Sequence, residues 1–176
     1  AFMRPEVARA HRESRIYIHD LSEYDIGDHN CLFADLERLL SQGFSTRNGD
    51  VRAANSFSTA CQLVAVIFQC QSQVQFGGVA SAHIDYDLAP YVKKSFYKHF
   101  RDGVTYLTTE KERNAICLPD DWYDTCILTM ASIEHPNFNA LPKAKQYAMD
   151  MLEKEGRQAA QGLFHNLNTL ESRAGS

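Results

Sequence analysis

A chain of 176 residues with 44% hydrophobic and 23% charged content is sized for one domain and long enough to bury a core. The formal net charge of −4 argues against the clustered basic field that nucleic acid requires. No apolar run approaches the about 20 residues that span a bilayer, and the start Ala1-Phe2-Met3-Arg4-Pro5 has no signal-peptide core.

Taken in chain order, Pro5 to Ser14 predicts a short helix with proline in its first turn. Ile16-Tyr17-Ile18 is a brief strand-like patch. Cys31 to Phe33 is apolar and short, open to either strand or loop, and Asp35 to Ser41 reads as a helix stopped by Gly43. Ser45 to Asn55 reads as a loop turning at Asn48-Gly49-Asp50. Ser56 to Gln75 is the strongest element. Ser56 or Asn55 can cap it, Leu63 to Phe68 is apolar all round, and Gln62, Gln69 and Gln73 form one polar stripe. Gly77-Gly78 reads as its stop.

Asp85 to Phe100 predicts a second helix, with Pro90 in its first turn or at a kink. Lys94, Lys98 and Arg101 share one of its faces. Arg101 to Pro119 is ambiguous, and Asp120 to Ile133 reads as a helix halted before Pro136. Pro142 to Ser172 predicts a long helix with the apolar stripe Ala144, Ala148, Met151, Ala159, Leu163, Leu167 and Leu170. Gly156 and Gly162 within it suggest close approach of another helix. No repeat, low-complexity segment or linker stands out.

The five cysteines are Cys31, Cys61, Cys70, Cys117 and Cys126, an odd number with no C-x-x-C pair. That excludes a four-ligand zinc cage and argues against a secreted disulfide framework, so we expect reduced thiols and a cytoplasmic location. No spacing of acidic residues makes a metal loop. Cys31 is the thiol with chemistry-bearing neighbours: His29 lies two residues away and His19-Asp20 precede it. A thiol beside an imidazole can ionise to the reactive thiolate, so a cysteine–histidine hydrolase is one reading. No oxyanion-hole loop or third orienting group accompanies it.

Several motifs occur in order: His19-Asp20-Leu21, Asn30-Cys31 with Asp35-Leu36, Gln42-Gly43-Phe44, Ser56-Phe57-Ser58-Thr59-Ala60, Phe76-Gly77-Gly78 and Ala89-Pro90-Tyr91-Val92. From about Ile16 to Arg101 this series resembles the large subunit of the anaerobic (class III) ribonucleotide reductases, more loosely from Val104 to Ala140. The resemblance implies a mainly α chain with one or two short strands, an incomplete portion of a ten-stranded α/β barrel of the glycyl-radical-enzyme type. Residues 1–176 would form a single partial domain: the N-terminal helical portion and the first barrel strand. It begins with Ala1, and we expect a piece of a longer polypeptide, inactive alone.

What the resemblance implies for function is reduction of ribonucleoside triphosphates to deoxyribonucleoside triphosphates for DNA synthesis by glycyl and thiyl radical chemistry. Cys31 matches the family's cysteine on the first barrel strand, which supplies a hydrogen and a proton during the reduction. His19 is the candidate substrate-site histidine, although Tyr17 can take that place in this register. Lys98 falls at the position of a lysine that meets effector phosphate. Arg52 and Val66 stand where Glu and Gln are expected, so Gln62 or Gln69 would substitute in binding deoxynucleoside triphosphate effectors. The implied partners are a second copy of the chain and a radical activase carrying S-adenosylmethionine and an iron–sulfur cluster. The implied zinc belongs to a C-terminal part, so no cofactor is expected in this chain. The alternative is a stand-alone helical nucleotide-binding or dimerisation module without catalysis.

Overall fold

The computed structural model describes residues 3–18, 21, 31–46, 49–75, 77–115, 133–134 and 136–169. Among them the chain is predominantly helical, with two small two-stranded sheets. In order these are α1 (Pro5–Arg12), β1 (Cys31–Phe33), α2 (Leu36–Gln42), β2 (Phe44–Thr46), β3 (Gly49–Val51), α3 (Phe57–Ser72), β4 (Gly78–Ala80), α4 (Ile84–Leu107), α5 (Glu110–Ala115), α6 (Pro136–Asn139) and α7 (Pro142–Asn168). Strands thus number four where one or two were expected, and no barrel closes among the described residues.

Three local corrections follow from hydrogen bonding that periodicity does not reveal. Ser45, Thr46 and Gly49 to Val51 are not loop: β2 and β3 pair antiparallel with Phe44 opposite Val51, tied by the Ser45 hydroxyl donating to Asp50 Oδ1 at 2.6 Å. Gly77-Gly78 does not stop the preceding helix, which ends at Ser72; Gly78 opens β4. Ile16 to Ile18 forms no strand. The helix expected over Asp120 to Ile133 lies almost wholly outside the described residues.

Capping accounts for several boundaries. The Asp35 carboxylate accepts the Arg38 N–H at 3.1 Å to start α2, and Ser56 Oγ accepts the Thr59 N–H at 3.2 Å to start α3. Gly43 ends α2 at φ +80°, and a Cβ there would collide with the Val51 carbonyl, so only glycine fits between α2 and the hairpin. Pro90 sits in the second turn of α4, not the first, and the chain continues helically to Leu107. The carbonyl that proline deprives of a partner belongs to exposed Tyr86, where water can serve it.

Two apolar clusters form the core. One gathers Leu36 and Leu40 of α2, Ala60, Val64 and Ile67 of α3, Leu88 and Tyr91 of α4, and Ala159 and Leu163 of α7. The other stacks Phe96, Tyr97 and Phe100 of α4 around Phe138 of α6, with Ala144 and Ala148 of α7. Phe138 meets Phe100 edge to face at 4.9 Å and Phe96 at 5.2 Å. Helices α4 and α7 run antiparallel, Gly103 meeting Ala144 and His99 meeting Glu155. The close approach expected at Gly156 and Gly162 occurs at Gly103, where a Cβ would come within 3.0 Å of the Ala144 carbonyl; at Gly162 it would meet nothing within 4 Å.

Candidate functional site

Strand β1 lies parallel to β4, with Cys31 opposite Gly78, Leu32 opposite Val79 and Phe33 opposite Ala80. The Ala34 N–H prolongs the ladder, donating to the Ala80 carbonyl at 2.9 Å. The α2 helix, the hairpin and α3 make the crossover between the strands. Side chains alternate along a strand, so Cys31 and Phe33 share one face and Leu32 takes the other. Leu32 is half-buried and Val79 packs on the first core cluster, whereas Cys31 is exposed and Phe33 is 66% exposed. Across from Cys31, Gly78 offers no side chain, and a Cβ built there meets nothing within 4 Å. Among the described residues the thiol therefore stands on an open sheet face with free space beside it. Among the described residues no imidazole or carboxylate hydrogen-bonds it, so the hydrolase reading has no paired base there. His19, His29 and Asp20 lie outside the described residues; Tyr17 is exposed.

The other two thiols described are different. Cys61 is buried in α3, and burial first, then the negative charge of Glu155, pushes it up to about 11, so it stays protonated and inert. Cys70 is half-buried.

Lys98 is exposed on α4, and Gln62, Gln69 and Gln73 form an exposed polar stripe on α3. No hydrogen bond joins Lys98 to Gln62 or Gln69 among the described residues. Of the expected basic face, Lys94 is turned inward: its Nζ lies 4.9 Å over the Tyr91 ring and 3.5 Å from the Ala54 carbonyl, while Lys98 forms no ion pair among the described residues. Val66 shares the glutamine face, four residues after Gln62 and three before Gln69. With Leu39, Phe44, Val51, Cys70 and Gln73 it lines a groove of about 700 Å³ between α3 and the hairpin, which has no basic wall residue. Arg52 is exposed just after β3.

These positions can be set beside known proteins. The family model described as anaerobic ribonucleoside-triphosphate reductase matches residues 1–176. The chain belongs to this family. It is 30% identical over 172 residues to the anaerobic ribonucleoside-triphosphate reductase of Salmonella typhimurium, covering 97% of this chain and 19% of that protein. The Haemophilus influenzae protein of the same description is 28% identical over 172 residues, covering 97% and 20%. That of Enterobacteria phage T4 is 32% identical over 99 residues, covering 55% and 16%. The chain thus spans about a fifth of the length of the reductases it matches.

A zinc ion of the kind expected for the family's reductase is not held by the residues described, which contain no group of three or more histidine, cysteine and acidic side chains that could cage a metal. No described helix is long and apolar enough to cross a membrane.

One cluster escaped the reading of the sequence. Glu155 of α7 interrupts the apolar stripe between Ala148 and Ala159, at a position whose spacing points inward. Its Oε1 accepts from Ser58 N–H at 3.0 Å and from the Ser95 hydroxyl at 2.9 Å, and its Oε2 pairs with His99 Nε2 at 2.7 Å. A charged residue filling a gap in a helical apolar stripe is the signal that could have found it.

Proposed function

We propose that this chain is the part of an anaerobic ribonucleoside-triphosphate reductase that brings Cys31 to the substrate ribose and carries effector-binding side chains on α3 and α4. The observation that carries the reading is the placement of Cys31: an exposed thiol on an open parallel strand pair, opposite a glycine, in a chain of this family. Parallel sheets ordinarily have both faces covered. The uncovered face bearing Cys31 and Phe33 is then where substrate and the remaining sheet belong, β1 being the first strand of the ten-stranded barrel.

The glycyl radical supplies the initiating radical chemistry, elsewhere in the polypeptide. Here Cys31 has one task that a thiol suits. Its S–H is acidic enough to protonate the departing 2′ hydroxyl, which leaves as water, and weak enough to return a hydrogen atom to the carbon-centred sugar radical once the reductant of the whole enzyme, formate or a small thiol protein, has supplied the two electrons and restored the S–H. The strand positions it, and Gly78 leaves room for the sugar edge. Lys98, a compact point charge on a flexible stem, suits an effector phosphate, with Gln62 and Gln69 offering amide hydrogen bonds. A second copy of the chain packing across these helix faces would complete the effector site, and an activase would act on the whole enzyme.

The test is an anaerobic turnover assay of the reductase polypeptide that carries this sequence, with Cys31→Ala. Deoxynucleotide formation falls by at least about a thousandfold while effector binding persists, the pattern of a group acting only during reaction. Turnover near that of the unsubstituted enzyme would leave the chain as a nucleotide-binding or dimerisation module without part in the chemistry.

A further inference from the structure

Helices α3 and α4 each pack more extensively on α7 than on one another, so α7 sets how the two stand relative to each other. Along that interface one side chain of α7 touches both. The Glu155 carboxylate takes the Ser58 N–H in the first turn of α3 at 3.0 Å, and the Ser95 hydroxyl and His99 imidazole of α4 at 2.9 and 2.7 Å. Ser95 closes the circuit, its oxygen accepting the Phe57 N–H of α3 at 2.8 Å. The His99 and Glu155 side chains are only 11% and 16% exposed. Two first-turn amides of α3 are therefore satisfied by partners on other helices, and a negative charge sits at the positive end of that helix. Ser95 and His99 bracket Lys98 on α4, and the anchored turn leads directly to Gln62 on α3.

We propose that Glu155 is a positioning residue for the nucleotide-effector face, holding the first turn of α3 and the Lys98 turn of α4 in one register on α7. The assignment deepens the effector reading above and rests on it. Glu155 touches no effector itself; it acts through the helices that carry Lys98 and Gln62.

The carboxyl has the character this role needs. Burial pushes it up, but the Ser58 amide, His99 and the Ser95 hydroxyl outweigh burial and hold it below the ordinary carboxylate value. The titratable groups set against it are His99 from α4 and Cys61 from α3, whose thiol remains protonated. The anchor is thus charged at neutral pH and is lost only as pH falls through the lowered value.

The experiment compares, in the reductase polypeptide that carries this sequence, the unsubstituted chain with Glu155→Gln, His99→Gln and Lys98→Ala. It uses hydrogen exchange of the residue 57–60 amides from pH 4 to 8 and titration with deoxynucleoside triphosphates. Glu155→Gln speeds exchange of the first turn of α3 by about tenfold or more at pH 7 and weakens nucleotide binding in step, and both differences shrink as the pH falls below the ordinary carboxylate value. His99→Gln, which keeps a donor, gives the milder form of the same change should Glu155→Gln fail to fold. Lys98→Ala weakens binding and leaves exchange unchanged. First-turn exchange untouched by Glu155→Gln, or loosened with full affinity retained, overturns the positioning role. An unsubstituted chain that binds no deoxynucleoside triphosphate overturns the effector reading and the role with it.

Discussion

Among individual residues, the three thiols described show how environment separates identical chemistry. Cys31 is exposed with open space beside it, while Cys61 is buried and pushed up to about 11. Site-resolved alkylation near pH 7.5 should therefore modify Cys31 in the native chain and Cys61 only after unfolding. Gly78→Leu should fill the space opposite Cys31 and slow its labelling without unfolding the chain, because a Cβ at Gly78 meets nothing within 4 Å among the described residues. Cys31 stood out in the sequence through its motif; its exposure did not, since that depends on the glycine across the strand pair. Glu155 was missed because its partners lie 56 to 97 residues away. Replacing it by glutamine should cost about 1.5–3 kcal/mol at pH 7, the range for hydrogen bonds to a charged group. A carboxyl held low in the fold contributes stability that is present above its ordinary value and lost as pH falls through the folded one. Melts of the two forms should then converge in acid.

Secondary-structure elements divide into those whose cause is local and those whose cause is not. The α3 helix was readable because Ser56 caps it and its middle is apolar, and α7 because its stripe repeats at helical spacing. Strand β4 and the β2–β3 hairpin were not, because three-residue strands carry too little alternation and exist through their pairing partners. The α4–α7 crossing makes a two-sided prediction. Gly103→Ala forces a Cβ to within 3.0 Å of the Ala144 carbonyl and should cost about 1–3 kcal/mol by overpacking. Gly162→Ala, with nothing within 4 Å, should gain up to about 1 kcal/mol from helix propensity. Thermal unfolding of the pair reads both signs; equal shifts would mean that the helices do not approach as described.

For the molecule as a whole, the family was legible from the order of short motifs, and its match now extends over residues 1–176. What those motifs could not convey is how α2, the hairpin and α3 carry the chain from one parallel strand to the next and leave the Cys31 face bare. That bare face, beside helices bound through Glu155, gives the chain its proposed place in a reductase about five times its length. The most direct measurement is the structure of the intact reductase with a ribonucleoside triphosphate bound. The account predicts the ribose over β1, with the Cys31 sulfur in contact with its 2′ oxygen at about 3–3.5 Å. A ribose seated out of reach of Cys31, with the β1 face covered by protein alone, would contradict it.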